Sequence, residues 1–268
     1  MGNSGRIVLV LLLLFFALQS AGSIRSKSPT WDETNYFGLG YYLLKHPSWD
    51  IPSSTLHPPL TYYLNSFPFI FHDADERAWD LPPALKGVDK SHLSIPGAGL
   101  RLLTDRRYPT DRLLMLSRVP TLLLALLLGC CLYRWTKELY GELPAMSALF
   151  LFSFCPNMIA HSGLITPDMA LTCFTFISLY CLWKVLGRGG GLVWIIACSL
   201  SLGCALLSKY SSLLQIPVFI VVAAPFLFSS ADLRLPGNFP FARWLSNKDA
   251  IFKSLRLLSL MIAIFQPS

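Results

Sequence analysis

The sequence predicts an all-α integral membrane protein with about seven transmembrane helices and a long outer loop after the first one. Its 268 residues are 53% hydrophobic, and only 14% are charged. Soluble domains average about 25% charged residues. The apolar residues are also gathered into separate stretches that approach the ~20 residues needed to cross a bilayer as a helix.

Seven apolar stretches are candidate spans: residues 7–21, 117–133, 143–160, 169–186, 192–207, 213–228 and 255–266. The first follows Arg6 and ends in small residues, so a retained signal anchor and a cleaved signal peptide are both compatible with it. Either way, the residues that follow are exported. The predicted organisation is an anchor helix at 1–22, an outer loop at 23–116 and six further spans within 117–268.

Basic residues in the short loops indicate the orientation. With the N-terminus inside, the short outer loops hold only Lys209, and the inner loops hold most of the cations: Arg134, Lys137, Lys184, Arg188, Arg234, Arg243, Lys248 and Lys253. This asymmetry follows the positive-inside rule, from which loops longer than about 60 residues are exempt. The long loop therefore lies outside.

The outer loop is predicted to contain two interfacial helices. Residues 35–44 carry the leucines and aromatics of an amphipathic helix on the membrane, opened by Asp32 and Glu33. The Pro-Pro pair after His57 interrupts regular structure. Residues 61–71 form the second apolar segment, and residues 73–111 are polar and rich in Pro and Gly.

Several function classes are disfavoured. The net charge of +7 is spread over all loops with no basic stripe, so nucleic-acid binding is not predicted. The interiors of the spans hold almost no ionisable groups, which disfavours a transporter or channel. The seven cysteines lie in or beside apolar segments, which predicts buried free thiols.

Polar side chains from separate loops converge on the outer face, as in an active site. They are Asp32, Glu33, His57, His161, Asp168 and Lys209, with Arg118 at the start of the second span. Structural alternatives exist for the charged ones. The acids could stabilise helix N-termini, and the cations could anchor helix ends in the headgroups. The histidine spacing matches no metal signature.

The motifs in this order resemble the GT-C membrane glycosyltransferases. The motifs are Asp32-Glu33-Thr34-Asn35-Tyr36, His57-Pro58-Pro59-Leu60, Arg118-Val119-Pro120, a loop ending in Pro167-Asp168, and a stretch ending in Ser208-Lys209-Tyr210. The branch they resemble most includes the protein mannosyltransferases, the aminoarabinose transferases and the Rgt-type enzymes, of the family 39/83 type. Members usually continue for several more spans, so we expect a C-terminally short version.

This resemblance implies transfer of a sugar from a polyprenyl-phosphate donor to a lipid, glycan or protein hydroxyl at the outer face. Asp32 would be the general base, with inversion at the sugar carbon. Lys209 and Arg118 would meet the donor phosphate. Glu33, His57, His161 and Asp168 would support the site or hold a divalent metal ion, which some relatives use.

The resemblance also favours a retained anchor helix and a bacterial inner membrane, with the endoplasmic reticulum as the alternative. The alternative function is a truncated or non-catalytic membrane protein that binds a polyprenyl lipid or a partner.

Overall fold

Every regular element in the computed structural model is a helix within the described residues, which are 3–45, 57–71, 99, 103, 109–187 and 191–228. The all-α prediction is confirmed for this part of the chain. The longer elements are α1 (Asn3–Ser26), α2 (Trp31–Lys45), α3 (Leu60–Ser66), α4 (Thr110–Tyr140), α5 (Glu142–Ser153), α6 (Pro156–Ser162), α7 (Pro167–Gly187), α8 (Leu192–Leu206) and α9 (Gln215–Phe228). Short 3-10 helices cover Phe67–Phe71 and Tyr210–Leu214.

Three of the described helices are long and apolar enough to cross a membrane: Gly5–Ser26, Thr110–Tyr140 and Pro167–Leu186. They coincide with the predicted spans at 7–21, 117–133 and 169–186. The segments 192–207 and 213–228 form shorter apolar helices, and 255–266 lies outside the described residues. The count of seven spans therefore stays a prediction.

The predicted span at 143–160 is divided into two helices. Glu142–Ser153 and Pro156–Ser162 meet at a bend of 62° and could together form a fourth, broken span. Pro156 causes the break because it lacks an N–H and its ring collides with the preceding turn. The Gln19 side chain of α1 donates a hydrogen bond to the Ser153 carbonyl at the break, over 3.2 Å.

Two compact units divide the chain, Met1–Ala170 with Leu207–Lys209, and Leu171–Leu206 with Tyr210–Ser268. In the first unit α2 is buried on nearly all sides: only Trp31 and Asp32 are classed as exposed among its described side chains. Its core partners come from α3, the 3-10 helix Phe67–Phe71, α4 and the turn before α7: Tyr62, Phe69, Leu113, Leu114 and Ile165.

The helix predicted at 35–44 is present within α2, and protein covers most of its side chains. Its location at the membrane surface stays a prediction. The segment at 61–71 forms α3 and a 3-10 helix. Phe67 and Ile70 remain 54% and 60% exposed there, so its place at the membrane surface stays a prediction.

Asn65 fastens α3 to α4 beside a proline. Pro120 lies inside α4 and weakens the backbone hydrogen bonds of the preceding turn. The Asn65 amide donates to the Ser117 carbonyl and to the Thr121 hydroxyl, both over 2.8 Å. Asn65 is 2% exposed, so this contact fixes the turn of α4 around Pro120 from inside the unit.

The second unit is held by polar contacts among apolar helices. Gln215 donates to Thr175 over 2.7 Å. Lys184 is buried and lies 5.2–5.4 Å from the ring centroids of three aromatic residues, Tyr180, Trp183 and Trp194. All seven cysteines are free thiols, but only Cys173 and Cys181 are buried, so the prediction of buried thiols is right for those two alone.

Candidate active site

A fully buried ion pair joins Glu33 and Arg118. The guanidinium meets the carboxylate in a two-point contact, from Nε to Oε1 and from Nη2 to Oε2, both at 2.8 Å. Its remaining N–H groups reach the carbonyl oxygens of Ile24, Lys27 and Ser28 over 3.0–3.3 Å. A guanidinium has five N–H donors, and each has a partner here.

Both carboxylate oxygens of Glu33 also accept further hydrogen bonds. Oε1 accepts from the backbone N–H of Ile165 over 3.0 Å, and Oε2 accepts from that of Thr30 over 2.8 Å. Glu33 and Arg118 both have 0% exposure. The contact with Thr30 is a capping box, because the Thr30 hydroxyl also accepts from the Glu33 N–H. The Thr-x-x-Glu spacing signals this box in the sequence, and the sequence analysis missed it.

Asp32 has the opposite environment. It occupies the first turn of α2, next to the buried Glu33, and its side chain is exposed. Within the described residues no hydrogen bond or ion pair engages its carboxylate. A free carboxylate on a rigid helix end can accept a proton from a bound hydroxyl.

His57 lies close enough to Asp32, Asp168 and Lys209 for their charges to act on its imidazole. Burial lowers the pKa of His57, and the Lys209 ammonium lowers it further, while the two carboxylates oppose this shift. The ring stacks on Tyr36 with a centroid distance of 5.7 Å. His57 Nδ1 is buried without a hydrogen-bond partner among the described residues, which favours the neutral ring.

Tyr36 is a member of this cluster that the sequence analysis quoted only as part of a motif. It stacks on Tyr62 at 5.4 Å. Burial raises the Tyr36 pKa, with further contributions from Tyr62 and from the negative charges of Asp168 and Asp32. Its position four residues after Asp32 was a usable signal, because residues i and i+4 share a helix face.

Asp168 and Lys209 form a second ion pair, 2.7 Å long, whose side chains are 41% and 31% exposed. The Leu207 carbonyl accepts a hydrogen bond from the Leu60 N–H over 3.0 Å. Because Pro58 and Pro59 lack an N–H, Leu60 is the first residue after His57 that can donate one. This hydrogen bond thus brings the backbone that follows His57 beside the backbone that precedes Lys209.

The structure brings four of the seven predicted site residues together at one surface: Asp32, His57, Asp168 and Lys209. Glu33 and Arg118 lie buried beneath Asp32. His161 is exposed in the last turn of α6 and joins none of these contacts. His46, His72 and His92 lie outside the described residues. In the described ranges no three His, Cys, Asp or Glu side chains are close enough to hold a metal ion, so we assign no residue to one.

Breaking the buried pair should destabilise the protein strongly. We expect Glu33→Gln to lower the free energy of unfolding by about 3–5 kcal/mol, because it leaves the Arg118 charge uncompensated. Asp168→Asn is the matched control, since it breaks a half-exposed pair worth about 1 kcal/mol or less. The measurement is denaturant unfolding in detergent micelles. Equal losses for the two variants would contradict this account of the pair.

The pKa of His57 should respond to its charged neighbours in opposite directions. Lys209→Met removes a cation and should raise this pKa, whereas Asp32→Asn should lower it further. Folding lowers the pKa of His57. Its contribution to the free energy of unfolding is therefore fully present at pH values above the pKa of a histidine in the unfolded chain. That contribution is lost as the pH falls through the pKa that His57 has in the folded protein. Histidine NMR titration checks both shifts, with the His161 signal as the internal control. Shifts of the same sign in both variants would refute the assignment.

Comparison with known families matches residues 114–242 to the model described as dolichyl-phosphate-mannose-protein mannosyltransferase. No curated protein and no solved structure matches the chain. The matched range contains Arg118, His161, Asp168 and Lys209, and ends before the last predicted span. It supports the GT-C type, while the finer branch stays a prediction. Together with the apolar helices it fits an integral membrane protein, and the chain is thus similar to a GT-C type glycosyltransferase family over nearly half of its length.

Proposed function

We propose that the protein is a membrane glycosyltransferase that moves a sugar from a polyprenyl-phosphate donor to an acceptor hydroxyl on a lipid, glycan or protein. The observation that carries this proposal is the contrast between two adjacent acids. Glu33 is buried and fully hydrogen-bonded, while Asp32 beside it is exposed and has no hydrogen-bond or ion-pair partner among the described residues. The family match supplies the reaction type.

In the proposed reaction the acceptor oxygen attacks the anomeric carbon of the sugar. The bond from that carbon to the phosphate oxygen breaks, and its electron pair leaves with the phosphate. Asp32 takes the proton of the attacking hydroxyl. One displacement inverts the anomeric centre and needs no covalent enzyme intermediate. The lipid tail keeps the donor in the bilayer, so the reacting carbon lies at the membrane surface.

Lys209 is the cation best placed to meet the leaving phosphate. Its ammonium is partly exposed and forms an ion pair with Asp168 over 2.7 Å. An arriving phosphate can share the ammonium with Asp168. The phosphate role expected for Arg118 is less well supported, because all five of its donors already have partners inside the protein. We assign Arg118 and Glu33 to positioning.

His57 would contact substrate in this scheme, because its neutral ring borders both Asp32 and Lys209. Among the described residues His161 makes no contact with this cluster, and we give it no role. The active face would be the periplasmic side of a bacterial inner membrane, with the luminal side of the endoplasmic reticulum as the alternative.

Asp32→Asn should reduce turnover by about 10²–10⁴-fold, the range lost with a general base. The measurement is consumption of a panel of polyprenyl-phosphate sugars by the reconstituted protein. Asp111→Asn is the matched control, because Asp111 is also an exposed acid in the first turn of a helix. Near wild-type turnover by Asp32→Asn would remove it from the role of base. No turnover by well-folded wild-type protein would favour a non-catalytic lipid-binding protein.

Lys209→Gln should lower kcat/KM for the donor by about 10–100-fold, the fold-change that follows from losing one charged hydrogen bond. Lys209→Arg keeps the charge and should retain most of the activity. Asp168→Asn breaks the same ion pair while leaving the ammonium in place, so it separates loss of the pair from loss of the phosphate contact. Unchanged kcat/KM in Lys209→Gln would refute phosphate binding by Lys209.

A further inference from the structure

Residues 25–31 run from the last turn of α1, through the connection at 27–30, to the first residue of α2. The backbone here is turned inward and the side chains are turned outward. The carbonyl oxygens of Ile24, Lys27 and Ser28 accept hydrogen bonds from the buried Arg118. Every side chain of the segment is nevertheless exposed. Arg118 therefore holds the segment in one shape, and the segment presents a fixed set of side chains to its surroundings.

Those side chains are basic and aromatic. Arg25 and Lys27 have no ion pair or side-chain hydrogen bond within the described residues. Trp31 is 74% exposed, although the described side chains that follow Asp32 in the same helix are mostly buried. An unpartnered pair of cations beside an open indole is typical of a surface that meets phosphate groups at a membrane boundary.

The length of α1 places this segment at the headgroups. Gly5–Ser26 has 22 residues, which at about 1.5 Å per residue span about 33 Å, slightly more than a hydrocarbon core of about 30 Å. Only 17% of its apolar window is buried within the protein. Leu11, Leu14 and Leu18 are more than half exposed, so lipid is the natural neighbour of α1 and of the segment at its end.

The position of Arg25 and Lys27 in the chain also favours lipid headgroups as the binding partner of this segment. Arg25 and Lys27 lie at the predicted outer end of the first span, where a helix that crosses the hydrocarbon core emerges among the headgroups. Cations at that level are attracted to anionic headgroups. Asp32 follows directly, so whatever holds this segment also sets the depth of the proposed base.

We infer that residues 25–31 are a docking surface for anionic phospholipid headgroups of the bilayer, which they contact through Arg25, Lys27 and Trp31. The interaction holds the start of α2 at the level of the lipid phosphates. Its consequence for catalysis, a fixed depth for Asp32, rests on the proposed function. The docking itself does not.

The test is quenching of Trp31 by brominated lipids in proteoliposomes, with Trp31→Phe subtracted to isolate its emission. At equal mole fraction, brominated phosphatidylglycerol should quench Trp31 more strongly than brominated phosphatidylcholine. The ratio of quenching by brominated phosphatidylglycerol to quenching by brominated phosphatidylcholine should fall about fivefold for each cation removed, in Arg25→Gln and in Lys27→Gln. The control is Arg112→Gln, which removes an exposed cation from the first turn of α4. This variant should keep the preference for phosphatidylglycerol.

Three outcomes would overturn the inference. Equal quenching by both lipids would exclude a headgroup preference. No quenching by either would point to a soluble or protein partner. A response to a few mole per cent of polyprenyl phosphate in an otherwise zwitterionic bilayer would assign the segment to the donor. Absence of sugar transfer by wild-type protein would count against the proposed function alone, because the quenching result does not depend on turnover.

Discussion

The structure of the first unit depends on the burial of one charge pair. Removing Glu33 and Arg118 from water costs several kcal/mol for each ion, and only good geometry with complete hydrogen bonding offsets that cost. Both conditions are met here, because five guanidinium donors and both carboxylate oxygens have partners. The partners come from the end of α1, the connection before α2, the cap of α2 and the turn before α7. The pair therefore links these places to one another and to α4, which carries Arg118.

A second ion pair of the same chemistry lies at the surface and has a different physical character. Asp168 and Lys209 are each about one-third to two-fifths exposed, so water competes for both charges and their net attraction is small. A pair of this kind can rearrange when another anion arrives, whereas the buried pair cannot without large cost. The backbone N–H of Ile165 donates a hydrogen bond to the buried Glu33, and Ile165 precedes Asp168 by three residues. The buried pair therefore helps to position Asp168 and its surface ion pair with Lys209.

The sequence predicted the elements better than their contacts. Apolar length was enough for α1, α4 and α7, because hydropathy over about 20 residues depends on composition alone. Pro156 was visible inside a predicted span, yet its effect depended on whether the neighbouring helix could satisfy the broken turn. The burial of Arg118 could not be predicted, since its partner is 85 residues away and a cation at a span boundary is more often an anchor. The clustering of Asp32, His57, Asp168 and Lys209 was expected from the predicted topology, because loops on one side of a bilayer share one surface. The sidedness itself stays a prediction.

The exposure of Asp32 and the burial of Glu33 follow from helix geometry. Successive residues of an α-helix point about 100° apart, so two adjacent acids at a helix start cannot both face the protein interior. Glu33 is turned inward, where the Thr30 cap and Arg118 hold it. Asp32 is thereby turned outward and kept there, on a backbone that its neighbour has fixed. A carboxylate on a flexible loop would have to be brought to the substrate again in every reaction cycle, whereas the backbone that carries Asp32 is positioned by folding. Catalysis by a single exposed acid would thus depend on the buried one beside it.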